Sequence, residues 1–155
     1  MSKNMLFLLF HLNEERYALD AARIVEVLPL QPVRAIPHTP RFVHGVFSYR
    51  ATPVPVIDLS ELILGRPAEH RLNTRIVLMR AATPQRLLGL ITERVTETMQ
   101  LDPAQFNPCG LDSRGAPFLG GVVHTGPGFI QQILTDELLT SAVRDALYER
   151  TAAVS

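Results

Sequence analysis

The chain has 155 residues, fifteen basic side chains against fifteen acidic ones, and room for one ordinary domain that buries roughly 70% of its unfolded surface. Balanced charge removes the overall field that would draw it to nucleic acid or to an anionic membrane surface. Its single cysteine, Cys109, excludes an internal disulfide framework and any site built from several thiolates, and suits a reducing compartment.

The apolar run Met5–Phe10 follows Lys3, as a secretory leader would. It is too short, runs into His11, Asn13, Glu14 and Glu15, and lacks a small-residue cleavage site, so it reads as a first core strand over 5–12. No apolar stretch approaches the roughly 18 residues needed to span a bilayer, and the expected location is cytoplasmic. Asn13–Arg16 turns the chain into Tyr17–Leu19, completing a hairpin. Asp20 then predicts a capped short helix, Ala21–Val27, presenting Ile24, Val27 and Leu28 on one side. Pro29, Pro32, Pro37 and Pro40 stop helix from continuing and favour extended chain.

A second hairpin follows. Phe42, Val43, Val46, Phe47 and Tyr49 favour a pleated, half-buried surface, and Gly45 among them predicts a bulge or a close backbone approach. In the returning strand Val54, Val56, Ile57 and Leu59 alternate around Pro53 and Pro55. Because proline cannot donate to a ladder, this strand is expected at a sheet edge or a barrel corner. Asp58 and Ser60 can cap a short helical turn, Glu61–Leu64, closed by Gly65. Beyond the polar stretch Arg66–Asn73, the runs Arg75–Met79 and Leu87–Thr92, joined by Ala81–Pro84, predict a third hairpin.

The second half echoes the first. Arg23–Val27 resembles Arg94–Thr98, Phe42–Val46 resembles Phe118–Val122, and the passage Pro55–Leu62 has a looser counterpart in Gln132–Leu138. A repeated offset suggests two copies of one small unit, and short strands with frequent turns favour small barrels over a layered α/β sheet. Leu138, Leu139, Ala142, Val143, Ala146 and Leu147 make an apolar stripe at helical spacing, so a C-terminal helix is expected over 136–149, packed on its own domain.

No constellation demands catalysis. The histidines at 11, 38, 44, 70 and 124 lack metal-ligand spacing. His38 and His44 could converge with Asp58, but a loop or surface histidine is the better reading. Ser60, Ser113 and Ser141 lack the strand–elbow–helix context of a nucleophile, and Cys109 has no base near it in sequence. Gly120-Gly121 and Gly126-Pro127-Gly128 are followed by no lysine and open no helix, so they serve turns and bulges. No catalytic, metal or cofactor residue is assigned. The pair Glu26 and Arg50 carries more interest, since guanidinium and carboxylate can meet bidentately; two unconnected surface charges are the bland alternative.

In order, Y-A-L, R-I-V-E-V, I-P-H-T-P-R-F-V-H-G-V, S-Y-R, P-V-P-V-I-D-L, N-T-R-I-V-L-M and L-G-L-I resemble the CheW family of chemotaxis coupling proteins over nearly the whole chain. The resemblance implies a mainly β fold of two small five-stranded SH3-like barrels around a shared hydrophobic interface, with short helices and a C-terminal helix. It makes 1–155 a single CheW-like domain with approximate subdomains 17–70 and 74–135. It implies a non-catalytic adaptor linking chemoreceptor tips to the regulatory domain of a CheA-type histidine kinase, with no cofactor, no nucleic acid and no membrane insertion.

On that basis Glu26 and Arg50 match the family's glutamate–arginine bridge beside a receptor groove. Ile24, Gly45 and Tyr49 fall with that groove, and Thr74 and Arg75 with a strand bordering the cleft between barrels. Two departures stand out. Where the family commonly reads N-L-R-G this chain has Ser48-Tyr49-Arg50-Ala51, so the tight turn must accept a Cβ. Arg75 replaces an apolar strand residue, and its stem is expected along the cleft with its charge in water. These departures suggest a divergent coupling protein serving a dedicated, non-flagellar sensory pathway. Rival readings are a small-barrel module for nucleic acid or ligand, disfavoured by an aromatic content of 6%, and a kinase regulatory domain of the same fold, disfavoured by a chain that starts at Met1 without a catalytic segment.

Overall fold

A computed structural model describes residues 4–81, 86–108, 116–126 and 128–154. Among these residues ten strands form two five-stranded sheets. One contains β1 (Met5–Leu12), β2 (Glu15–Asp20), β8 (Val95–Leu101), β9 (Leu119–Thr125) and β10 (Gly128–Ile133), in the order β8-β1-β2-β10-β9. The other contains β3 (Ile24–Pro29), β4 (Val43–Tyr49), β5 (Thr52–Asp58), β6 (Arg75–Arg80) and β7 (Leu87–Thr92), in the order β3-β6-β7-β5-β4. The helices are α1 (Leu59–Leu64) and α2 (Ser141–Val154). Among the described residues no helix is long and apolar enough to cross a membrane.

The two orders are the same pattern. Each sheet joins an antiparallel hairpin, β1–β2 or β6–β7, to three further strands, and in each one inner pairing is parallel, β2 with β10 and β7 with β5. The hairpin that comes first in the chain, however, lies in the sheet of the strands that come last. The expected division at 17–70 and 74–135 therefore does not follow the sheets, since β6–β7 (75–92) belongs with β3–β5 and β2 with β8–β10. Hairpins of like pattern offer like hydrophobic faces, so local sequence cannot say which sheet each will join.

Alternation explains why β1 and β6 are apolar on both faces. Leu8, Phe10 and Leu12 of β1 meet Val77 and Met79 of β6 in one core shared by both sheets, whereas Phe7 and Leu9 pack with Ala18, Val123 and Ile130, and Ile76 and Leu78 with Phe47, Val54, Val56 and Ile91. Side chains two apart share a face, so each of these strands serves the shared core and the core of its own sheet. Leu138, Leu139 and Leu147 fill the shared core from the C-terminal segment.

The echo in sequence is an echo in backbone geometry. After β3 the chain returns so that Arg34 exchanges two hydrogen bonds with Val46, both 2.8 Å; after β8 Asn107 does the same with Val122, at 2.9 and 2.7 Å. The strap can come this close because the neighbouring residue is glycine. A Cβ on Gly45 would stand 2.6 Å from the Arg34 carbonyl oxygen, and one on Gly121 would stand 2.9 Å from Phe106 Cβ. Likewise Asp58 N–H donates to Phe42 O and Leu134 N–H to Phe118 O, each at 2.7 Å.

Three expectations need correction. The predicted helix Ala21–Val27 is only a 3-10 turn, Ala21–Arg23, capped by Asp20; Ile24 onward is strand β3, because β-branched Ile24, Val25 and Val27 suit the pleat and β6 supplies the backbone partners. Of the two places expected for strand β5, the sheet edge is excluded, since β5 lies between β4 and β7. Its prolines are tolerated because pairing with β7 covers only Val56–Asp58, beyond Pro53 and Pro55. The C-terminal helix begins at Ser141 instead of 136, after a separate 3-10 turn Thr135–Glu137. Thr140 caps it, its Oγ1 accepting from Val143 N–H at 3.3 Å, and Ala142 and Ala146 of the expected stripe are exposed. The predicted turn Glu61–Leu64 is present within α1, which starts earlier, at Leu59; Asp58, not Ser60, is its cap, and Gly65 closes it at φ 76°.

Candidate functional site

Strands β3 and β4 are the two edges of one sheet, and the strap from Leu30 to Arg41 brings them together through its Arg34–Val46 bridge. A bulge between Ile24 and Glu26 resets β3. Glu26 pairs in register with Leu78, whose side chain belongs to the core of that sheet. Tyr49, at the end of β4, packs its ring against the same core, with the Phe47 ring centroid at 6.5 Å. Its hydroxyl donates to Glu26 Oε2 at 2.6 Å. That bond to a carboxylate raises the phenol above its ordinary value.

The expected bidentate bridge between Glu26 and Arg50 does not form. Among the described residues no ion pair joins them; the Arg50 guanidinium carbon lies over the Tyr49 ring, 5.3 Å from its centroid. Glu26, Tyr49 and Arg50 thus make one series in which the phenol stands between acid and base. The reason lies at Tyr49. A leucine there has no hydrogen-bonding group, whereas the phenol reaches the carboxylate first and offers its face to the cation.

The turn that carries Arg50 keeps its tight form without glycine. Tyr49 pairs with Thr52, and the two intervening residues both have left-handed backbones, Arg50 at φ 49° and Ala51 at φ 66°. These are the signs of a type I′ hairpin turn, held here at a steric cost that glycine would remove.

The other expected site residues divide. Gly45 lies on β4 under the strap, and Ile24 opens β3 and packs on the shared core. Thr74 is buried and engaged in a turn, donating to Glu69 O at 2.6 Å and accepting from Arg71 N–H at 3.0 Å. It lines a polar recess with Asn13, Arg66, Glu93 and Arg94. The Arg75 guanidinium donates to the Leu72 and Thr74 carbonyls at the surface, tying down the same turn.

Val27, expected on a helix face, lies instead on strand β3. It pairs with Val77, a shared-core residue, yet it remains 41% exposed. Period-two alternation assigns it to the strand once β6 is there to pair with it. His44 faces His70, ring centroids 5.9 Å apart, and burial pushes its imidazole below the ordinary value against the opposing charge of Asp58. Among the described residues no group of three or more His, Cys, Asp or Glu is placed to hold a metal ion. Cys109, Ser113, Pro84 and Pro127 lie outside the described residues.

Comparison with known proteins gives a consistent result. The model of the CheW-like domain matches residues 6–143. The chain is 29% identical over 102 residues to the chemotaxis protein CheW of Klebsiella aerogenes, a match spanning 66% of this chain and 60% of that protein. It is 27% identical over 139 residues to the chemotaxis protein CheW of Treponema pallidum, covering 85% and 80%. The crystal structure of the scaffolding protein TtCheW from Thermoanaerobacter tengcongensis superposes with a TM-score of 0.79 at 26% identity, covering 90% of each chain.

Proposed function

The chain belongs to the CheW-like domain family, and from that premise we propose that it is a non-catalytic adaptor. In this reading it couples the cytoplasmic tips of chemoreceptors to the regulatory domain of a CheA-type histidine kinase, in the cytoplasm. The observation that carries the reading is the core to which both sheets contribute, Leu8, Phe10 and Leu12 from one and Val77, Met79 and Leu90 from the other. An adaptor transmits a receptor rearrangement only if its docking surfaces keep a fixed relation, and close-packed side chains shared between the sheets supply that stiffness. The receptor-facing surface is the β3–β4 edge, with Glu26, Tyr49 and Arg50 at its centre and Ile24 and Gly45 supporting it. Thr74 and Arg75 hold the adjoining turn.

The departures at Tyr49 and Ala51 support a partner set of its own, as in a dedicated sensory pathway. The test is gel filtration of the chain with a chemoreceptor cytoplasmic fragment and a kinase regulatory domain, each purified. Co-elution of all three is the expected result; binding to neither, or to an oligonucleotide instead, overturns the reading.

A further inference from the structure

The series Glu26–Tyr49–Arg50 leaves one group without a carboxylate. Tyr49 occupies Glu26 Oε2, while Arg50 is exposed, and among the described residues no acid pairs with it. The guanidinium rests over the ring 5.3 Å from its centroid, and a contact with a ring uses none of the hydrogen-bonding capacity that a carboxylate acceptor would take up. The geometry is also directed. Arg50 sits in a two-residue turn of fixed left-handed backbone, and the Tyr49 ring beneath it is anchored by the hydroxyl bond and by packing on Phe47. The arrangement is confined to one sheet, because the position matching Tyr49 in the other, the last of β9 before its turn, is Thr125, which has no ring.

We infer that Tyr49 is a specificity-determining residue of this surface. By engaging Glu26 it frees Arg50 to take an acidic side chain of the docking partner, so the surface selects a chemoreceptor tip that presents Asp or Glu at that contact. The inference rests on the adaptor reading and deepens it. Tyr49 acts through Arg50, as a positioning residue, and loss of its hydroxyl returns Glu26 to compete for the guanidinium.

The experiment measures binding of purified chain variants to cytoplasmic tip fragments of chemoreceptors from the same genome, with folding checked by circular dichroism. Arg50→Met is expected to weaken binding about tenfold or more, as loss of a charged hydrogen-bonded contact does, and Arg50→Lys to recover part of it. Tyr49→Phe keeps the ring yet is expected to weaken binding several-fold, because Glu26 turns to Arg50. Adding Glu26→Gln to Tyr49→Phe removes that competitor and is expected to restore affinity to within about twofold of the parent. A merely structural role for Tyr49 predicts no such rescue. Unchanged affinity in Arg50→Met, or a double variant as weak as Tyr49→Phe, overturns this inference while leaving the adaptor reading intact; failure of the unaltered chain to bind any tip fragment overturns both.

Discussion

Gly45 and Gly121 hold equivalent places in different sheets, each lying under a returning strap whose carbonyl oxygen, Arg34 O or Asn107 O, would be crowded by a Cβ at 2.6 or 3.0 Å respectively. The two positions are not equally demanding, since only Gly45 combines the closer approach with a positive φ, 154°.

Gly45→Ala is therefore expected to cost about 3 kcal/mol, from backbone strain added to overpacking, and Gly121→Ala about 1–2 kcal/mol from overpacking alone. Urea denaturation of both variants provides the comparison. Equal losses would mean that the bridges Arg34–Val46 and Asn107–Val122 yield with the same ease.

Ala51→Gly should stabilise the protein. The parent holds Ala51 at φ 66°, and relieving one left-handed non-glycine residue is worth about 1 kcal/mol, which for a chain of this size raises Tm by about 2–4 °C. A lower melting temperature for the glycine variant would contradict the turn described for Arg50 and Ala51.

Asp58 is buried and takes three backbone donors, Ser60 N–H at 2.9 Å, Glu61 N–H at 3.3 Å and Ala68 N–H at 2.9 Å. Asp58→Ala leaves a helix start uncapped and a buried Ala68 donor unpaired, for an expected loss of about 3 kcal/mol. Asp58→Asn can keep the helix cap but turns an amide N–H toward Ala68, so about half that loss is expected. Hydrogen exchange at the Ala68 amide should accelerate in both variants and separates this account from a general loosening.

Tyr148 makes stability fall at high pH. Its hydroxyl donates to Leu87 O at 2.7 Å, the Arg86 guanidinium lies 4.7 Å from its ring centroid, and burial pushes the phenol from its ordinary value of 10.0 up to about 12. The folded state disfavours phenolate, so the contribution is complete below the unfolded value and is lost as pH rises through the folded one. Melting temperature should therefore drop between about pH 10 and 12, and Tyr148→Phe should flatten that part of the profile. A Tyr148→Phe curve parallel to the parent's would assign the alkaline loss to other groups.

Sequence reasoning reached the contacts that close within a few residues. Asp58 as cap, Gly65 as stop, Gly45 as a close approach and the hairpin between Tyr49 and Thr52 all follow from a side chain meeting its own neighbourhood, where sterics and local hydrogen bonding decide. It also made the repeated unit visible, because matching backbone geometry requires matching residues such as Phe42 with Phe118 and Gly45 with Gly121. It failed at Ile24–Val27, where three β-branched residues fit a short helix face as well as a strand until β6 is present to pair with them.

The tertiary structure alone decided two matters. It sent the β1–β2 hairpin to the sheet of β8–β10 and β6–β7 to that of β3–β5, a choice between equally patterned partners that only the shared core distinguishes. It also gave Glu26 to Tyr49 and left Arg50 on the ring, since which donor reaches a carboxylate first depends on how closely two edge strands, separated by the strap between them, are brought together in space.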